Sequence, residues 1–281
     1  MDLAVIGGPV AIEARVQMML RKDIVRPAHA SIGGTVDPAE LKRFEVLANE
    51  WWKPNGKFKT VHAFNAARLG LIIKTLSESE AAQRSGDLPL NGLRVADVGC
   101  GAGLMSEPLA RLGANVVGID AAGTNIAVAR RHATESGIAV DYRCATPDAL
   151  ARAGERYDGV LCLEVVEHVA DLAGFLAQTA ALVAPGGLLI IGTLNRTVSS
   201  YLLAIIGAEY ALGLLPRGTH DWRRFVKPDE LVELLGRHGL VELRRQGLAF
   251  NALTWRWSSN NDTPVNYLVI FRRQTTTCPS N

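Results

Sequence analysis

Between residues 94 and 193, short apolar segments alternate with longer segments of helical periodicity, and this alternation limits the folds that the chain can adopt. Strand and helix units in succession are typical of a parallel sheet that is covered by helices on both faces. The predicted strands are 94–98, 115–119, 140–144, 157–163 and 188–193. The sequence therefore predicts an α/β fold of the Rossmann-like type.

The alternation ends beyond the fifth predicted strand. A helix is expected at 227–238, and it is followed by strands at 240–248 and 267–272. The last two strands are close enough along the chain to form an antiparallel pair. We therefore expect a sheet whose final strand runs against its neighbours.

The segments that flank the alternating core have different compositions. Asp37 and Pro38 suit an N-cap and a first helical position, and the apolar spacing that follows predicts helices over 37–90. Because one elaborated core suits a chain of 281 residues, we expect a single domain at 37–273. Residues 1–36 are predicted to form a variable, partly disordered N-terminus, and 274–281 a disordered tail.

Charge and cysteine content narrow the functional classes. The 30 basic and 28 acidic side chains give a net charge of +2, which is too balanced to indicate a nucleic-acid partner. The four cysteines are widely spaced, and this spacing matches neither a zinc site nor a disulfide framework.

No apolar run reaches the roughly 18 residues of a membrane span. We expect a cytoplasmic protein, with a mitochondrial location as the alternative because residues 1–30 carry several basic side chains.

A glycine-rich turn follows the first predicted strand. Gly99, Gly101 and Gly103 allow a sharp backbone turn and a close approach to a ligand. Asp120 ends the second predicted strand, where a carboxylate can accept both hydroxyl groups of a ribose. This order of strand, glycine turn, helix and distal acid predicts an adenosine-type cofactor, although a tight turn with a structural aspartate has the same local pattern.

The details of the turn favour one kind of cofactor. The dinucleotide fingerprint has its third glycine at the position that Leu104 occupies here, which disfavours a nucleotide-dependent oxidoreductase. Asp97, ahead of the first glycine, suits a cationic cofactor better than a pyrophosphate. The segment Asp97-Val-Gly-Cys-Gly-Ala-Gly103 resembles motif I of class I S-adenosylmethionine-dependent methyltransferases. This resemblance implies a seven-stranded sheet with an antiparallel last strand, and cofactor contacts from Asp97, the three glycines and Asp120.

Further segments resemble the ubiquinone biosynthesis O-methyltransferases, and the match extends from about residue 37 to residue 272. These segments are 44–59, 62–70, 193–197, 207–210, 216–222 and 262–267. The resemblance implies that Arg68 binds the carboxylate of S-adenosylmethionine and that Leu163 lines the cofactor pocket. A surface position for the arginine and a core position for the leucine are the structural alternatives.

The family resemblance also implies a reaction. The expected activity is O-methylation of catechol-type polyprenylated intermediates of ubiquinone synthesis, at the demethylubiquinol step, at the earlier polyprenyl hydroxyphenol step, or at both. The alternatives are another small-molecule O-methyltransferase and a non-catalytic, cofactor-binding scaffold subunit of a ubiquinone-biosynthesis complex. A nucleic-acid methyltransferase is disfavoured, because the Pro-Pro-aromatic turn that enzymes acting on exocyclic amines carry after strand four is absent after Leu163.

Three polar residues, Glu164, Glu167 and His168, follow the fourth predicted strand at the carboxyl edge of the sheet, where ligands of open α/β folds bind. If Glu164 began a helical turn, the three side chains would converge. They are therefore the predicted catalytic residues, and in the eukaryotic family members the matching positions are associated with Mg²⁺. Direct proton removal by His168 and a purely structural helix cap are the alternatives.

An apolar segment at 201–216, within a predicted insertion at 195–226, is too short to cross a bilayer. It has the length of a helix that lies in a membrane interface or covers an apolar substrate, and basic residues follow it. An ordinary core helix is the alternative. We expect peripheral association with the inner membrane through this segment, with His220 and Asp221 near the substrate or closing the loop.

Overall fold

The computed structural model describes residues 51–52, 59–82, 87–200, 222–251 and 256–275. Several predictions lie outside these residues. They concern the N-terminus at 1–36, the Asp37 cap, the apolar segment at 201–216, His220 with Asp221, and most of the tail.

The described residues contain one mixed sheet of eight strands in the order β3-β2-β1-β4-β5-β8-β6-β7. Neighbouring strands from β3 to β5 are parallel, whereas β8 is antiparallel to both β5 and β6. The strands are β1 Arg94–Val98, β2 Asn115–Asp120, β3 Asp141–Cys144, β4 Tyr157–Leu163, β5 Val183–Leu194, β6 Leu240–Asn251, β7 Arg256–Asn260 and β8 Asn266–Arg273. The predicted α/β class and the antiparallel last strand are confirmed.

The number of strands differs from the seven expected. The additional strand is β7, which pairs only with β6 and forms the edge of the sheet. Its sequence, Arg-Trp-Ser-Ser-Asn, contains a single large apolar residue. An edge strand does not need apolar residues on both faces, so this segment lacks the pattern by which the other strands were recognised.

Helices connect the parallel strands and precede the sheet. The α-helices are α1 Lys59–Ser77, α2 Ser106–Arg111, α3 Gly123–Ser136, α4 Pro147–Arg152, α5 Leu172–Ala181, the single turn α6 Val198–Ser200 and α7 Pro228–Gly236. Short 3₁₀ helices lie at Glu80–Ala82, Val166–His168 and Trp222–Arg224. Among the described residues, no helix is both long and apolar enough to cross a bilayer.

Two apolar clusters pack on opposite faces of the sheet, as expected when helices cover both sides. One joins β4 and β5 to α5 and α7 through residues such as Val160, Phe175 and Leu231. The other joins the sheet to α1 through Leu69, Ile72 and neighbouring residues. This packing fixes α1 across the sheet and places Arg68 beside the carboxyl ends of β4 and β5.

Candidate active site

The glycine turn between β1 and α2 has the backbone geometry that its sequence predicts. Gly99, Gly101 and Gly103 have φ angles of 72°, 54° and 88°, in the left-handed region. A Cβ atom on Gly99 would overlap Val165, and one on Gly103 would overlap the Tyr142 hydroxyl. Glycine at these two positions is therefore favoured by contacts within the chain.

Asp97, the last residue but one of β1, is a buried carboxylate beside this turn. Its Oδ2 accepts a hydrogen bond of 2.6 Å from the Ser106 hydroxyl, at the start of α2. Burial raises the pKa of Asp97 to about 6, and the Ser106 hydrogen bond and the positive charge of Arg68 only partly offset this effect. A buried carboxylate with so little compensation is suited to a cationic ligand.

Asp120 ends β2 and is held by three N–H donors. Gly101 N donates to its Oδ2 at 3.0 Å, and Ala122 N and Asn125 Nδ2 donate to its Oδ1 at 2.7 and 3.3 Å. Burial raises the pKa of Asp120, and these hydrogen bonds oppose the rise. The carboxylate is therefore tied to the glycine turn through Gly101, as a ribose acceptor beside that turn would be.

Arg68 extends from α1 and is almost completely buried. Its Nη1 donates to Glu164 Oε1 at 2.9 Å, and its guanidinium lies 4.5 Å from the centre of the Phe64 ring. Arg68 Nε has no hydrogen-bond partner among the described residues. A Cβ at position 192 would lie 3.6 Å from Nη1, so Gly192 of β5 lies within van der Waals range of the guanidinium. A surface position for Arg68 is thus ruled out, and its guanidinium retains an unused donor.

Glu164 does not begin a helical turn, so the condition for the three side chains to converge is not met. Its φ of 56° places it in the left-handed region, and the 3₁₀ helix starts two residues later, at Val166–His168. The unusual backbone directs the Glu164 side chain to Arg68. Outside glycine such a conformation carries strain, and strain of this kind is concentrated at functional sites.

Glu167 points to a different partner from Glu164. It is buried, and its Oε2 accepts a hydrogen bond of 2.8 Å from the Thr193 hydroxyl on β5. Its Oε1 has no hydrogen-bond partner in the described part of the chain. Burial raises the pKa of Glu167 to about 7, against the opposing effects of hydrogen bonds and of Arg68. His168 is half-buried, and its backbone N–H donates to Val165 O.

The predicted convergence of Glu164, Glu167 and His168 as metal ligands does not match this arrangement. The residues that the structure describes contain no group of three His, Cys, Asp or Glu side chains placed to hold a metal ion. One carboxylate pairs with Arg68 and the other with Thr193, because the left-handed residue and the 3₁₀ helix replace the α-helical turn on which the convergence depended. As they stand, the three side chains do not fit a magnesium ion.

Leu163 lies at the carboxyl end of β4, as predicted, and is buried in the cluster that contains α1. This placement agrees with the core alternative, and the cofactor contact stays a prediction. Sequence reasoning gave no role to Trp51, Trp52 or Asn125, although all three contact the glycine turn or its partners. The two adjacent tryptophans were a visible signal, since both lie inside one of the segments that carry the family resemblance.

Comparisons with known proteins indicate the family. The family described as Methyltransferase domain matches residues 96–191. The chain is 51% identical over 242 residues to the ubiquinone biosynthesis O-methyltransferase of Cereibacter sphaeroides, covering 86% of this chain and 98% of that protein. It is 52% identical over 235 residues to the protein of the same name from Ruegeria pomeroyi, covering 83% and 95% of the two chains. The chain belongs to the ubiquinone biosynthesis O-methyltransferase family.

Solved structures support the fold. Magnesium protoporphyrin IX methyltransferase from Synechocystis, solved with bound S-adenosylhomocysteine, superposes with a TM-score of 0.57 at 23% identity over 77% of this chain and 86% of that chain. A possible histamine N-methyltransferase from Thermotoga maritima superposes with a TM-score of 0.56 at 20% identity, covering 84% and 100% of the two chains. The class I methyltransferase fold predicted from the sequence is confirmed, and the oxidoreductase alternative is not favoured.

Proposed function

We propose that this protein transfers the methyl group of S-adenosylmethionine to a phenolic oxygen of a polyprenylated, catechol-type intermediate of ubiquinone biosynthesis. The observation that carries the proposal is the similarity to ubiquinone biosynthesis O-methyltransferases. About half of the aligned residues are identical, and the alignment covers 98% of the length of one of these proteins. The demethylubiquinol step, the earlier polyprenyl hydroxyphenol step, or both are the proposed reactions. The site retains the polar residues that the chemistry needs, so a non-catalytic scaffold is not favoured.

The residues around the glycine turn fit S-adenosylmethionine. Arg68 would bind the cofactor's carboxylate through its unused donor, since a guanidinium can hold a second carboxylate in a charge-assisted contact. Asp97 would face the cationic part of the cofactor, which would compensate its buried charge. Asp120 would accept the ribose hydroxyls beside Gly101. When bound, the cofactor supplies an activated methyl group on a sulfonium.

The acceptor phenol must lose its proton during the transfer. A phenol with a pKa of about 10 is mostly protonated at neutral pH and is then a weak nucleophile. Two groups at the end of β4 are proposed to receive the proton. His168 is half-buried after the strand, and Glu167 has one carboxylate oxygen without a partner in the described chain and a pKa of about 7. General bases are most effective when their pKa is close to the working pH.

The magnesium assignment to Glu164, Glu167 and His168 stays a prediction, and no catalytic step is derived from it. Magnesium prefers oxygen ligands and retains several waters, so a set with one imidazole and one carboxylate already paired with Arg68 is a poor match. A chelator titration of the activity checks the assignment. Loss of activity that Mg²⁺ restores would confirm it, and full activity after chelation would refute it.

We also propose that the protein associates peripherally with the inner membrane, where a polyprenylated substrate resides. The apolar segment at 201–216 lies outside the described residues, but three of the basic residues that follow it are described. Arg223, Arg224 and Lys227 are exposed, which suits contact with anionic headgroups. Membership in a complex with other enzymes of ubiquinone synthesis is a further proposal of the same kind.

A label-transfer assay tests the proposed function. The protein is incubated with methyl-labelled S-adenosylmethionine and a short-chain demethylubiquinol. The matched control substrate is the ubiquinol of the same chain length, in which the acceptor hydroxyl is already methylated. We expect label in the product of the first substrate and none in the second. Absence of transfer to any catechol-type acceptor, in a protein that binds the cofactor, would contradict the proposal.

A further inference from the structure

Two adjacent tryptophans that precede α1 contact the glycine turn. Trp52 is buried, and its Nε1 donates to Ala102 O at 3.0 Å, between two of the glycines. Its ring stacks on His132 of α3, with ring centres 3.5 Å apart and planes inclined by 4°. His132 Nδ1 in turn lies 2.8 Å from Glu107 Oε1 on α2. Trp52 therefore anchors this segment to the turn and to both helices that flank it.

Trp51 contacts the same site through a chain of side-chain hydrogen bonds. Its Nε1 donates to Asn125 Oδ1 at 3.2 Å, and Asn125 Nδ2 donates to Asp120 Oδ1 at 3.3 Å. A Cβ on Gly101 would lie 3.5 Å from the Trp51 ring, so the ring covers the turn at van der Waals distance. His62 of α1 also lies 2.8 Å from Trp51 O, which fixes the backbone of this residue.

The chemistry of the indole fixes the donor-to-acceptor direction of these hydrogen bonds. An indole N–H can only donate, whereas an amide side chain can present either its oxygen or its NH₂ group. Because Trp51 donates to the amide oxygen of Asn125, the NH₂ group must face Asp120. Without the indole N–H, the Asn125 amide could rotate and place its oxygen against the Asp120 carboxylate, which would repel it. Asn125 is buried, so few other donors can take the place of the indole.

We propose that Trp51 is a positioning residue, which acts through Asn125 to hold the Asp120 carboxylate in the orientation that binds the ribose of the cofactor. This inference rests on the proposed function, because it assigns Asp120 to the ribose. It goes beyond that function by extending the cofactor site to a residue 69 positions away from Asp120 along the chain. Trp51 thereby links the N-terminal segment to the affinity for the cofactor.

The test compares two ligands that differ only at the ribose. S-adenosylhomocysteine and its 2′,3′-dideoxy counterpart are titrated calorimetrically into the wild type, Trp51→Phe, Asn125→Ala and the double variant. Each single variant should weaken binding of S-adenosylhomocysteine by about three- to tenfold, the size of one ordinary hydrogen bond. The dideoxy ligand should change by less than about twofold. The double variant should resemble the single variants, because each single substitution already breaks the hydrogen-bond chain from Trp51 to Asp120.

Trp222→Phe is the matched control. Trp222 Nε1 donates to Thr197 O at 2.9 Å, and Thr197 follows β5 rather than belonging to the glycine turn. Its loss should leave both affinities unchanged. Equal weakening of both ligands by Trp51→Phe and by Asn125→Ala, or no weakening of either, would overturn the inference. If Trp51→Phe does not fold, Asn125→Ala and its effect on the two ligands decide alone. A wild-type protein that binds no S-adenosylhomocysteine would instead contradict the proposed function.

Discussion

The pairing of Arg68 with Glu164 joins a proposed cofactor-binding residue to the segment that is predicted to be catalytic. The cofactor's carboxylate would share this guanidinium with Glu164, whose negative charge would repel it. Glu164→Gln keeps the shape and removes this charge, so we expect binding of S-adenosylhomocysteine to tighten by about three- to tenfold. Arg68→Lys keeps a positive charge without the fork of donors, and we expect it to weaken binding. Weaker binding in Glu164→Gln would indicate instead that Glu164 only orients Arg68.

Asp97 gives a prediction of pH dependence. Burial raises its pKa from 3.8 to about 6. Between these two pH values the folded state holds a proton that the unfolded state has released. The stability associated with this proton is fully present below about pH 4 and is lost as the pH rises through about 6, by roughly 3 kcal/mol. A cationic cofactor favours the ionised form, so its affinity should rise over the same range.

The variant Asp97→Asn, measured by thermal unfolding and by calorimetric titration between pH 4 and pH 8, checks both trends. We expect the variant to lose the contribution of this residue to the pH dependence of stability and to bind S-adenosylmethionine more weakly at pH 8. An unchanged pH profile of cofactor affinity in the variant would contradict the assigned role of Asp97.

The sequence predicted the residue types of the site better than their contacts. Asp97, Asp120 and the three glycines were found because they adjoin predicted strands, and local order along the chain places them. The Arg68–Glu164 pair joins residues 96 positions apart, and no local pattern encodes such a contact. The left-handed backbone of Glu164 was equally hidden, because nothing in the identity of a glutamate indicates a positive φ.

At the scale of elements, the glycine turn is fixed by the strand next to it. Gly103→Ala would place a Cβ against Tyr142 of β3, whereas Gly137→Ala, at the end of α3, meets nothing within 4 Å and has a similar positive φ of 65°. We expect Gly137→Ala to cost about 1 kcal/mol of unfolding free energy and Gly103→Ala at least about 2 kcal/mol more. Denaturant unfolding measures both. Equal costs would show that backbone strain alone requires the glycine.

Strands with strong apolar patterns were predicted accurately, whereas their irregular ends were not. β1 and β4 have the predicted bounds. β5 begins at Val183, five residues before the prediction, because Pro185 and the glycines that follow it are turn signals. The pairing of β4 with β5 shifts register between Tyr157 and Gly159, which accommodates this segment within the strand.

At the scale of the whole molecule, the sheet brings the predicted cofactor and catalytic residues to one edge. The carboxyl ends of β1, β2 and β4 carry the glycine turn, Asp120 and Glu164 respectively, and α1 adds Arg68 from the N-terminal side. This order follows from parallel strands joined by helices, in which successive carboxyl ends lie at the same edge. It explains why the class of the fold and the position of the site could be predicted together.

Membrane association is a prediction at this same scale. We expect the full chain to sediment with anionic vesicles more than with zwitterionic ones, and the difference to shrink at high salt, because basic side chains supply the attraction. Replacing Arg223 and Arg224 by glutamate should reduce binding, while the reversal of the exposed charge at Arg131, on α3, is the matched control. Equal sedimentation with both kinds of vesicle would contradict the role of the basic residues.

We propose that S-adenosylmethionine binds between Arg68 and Asp120 with its methyl group facing the segment after β4. A crystal structure of the complex with S-adenosylhomocysteine tests it most directly. We predict that the ligand's carboxylate contacts Arg68, that its ribose hydroxyls contact Asp120, and that its sulfur faces Glu164 to His168. A ligand bound elsewhere, or one whose sulfur faces away from this segment, would contradict the account.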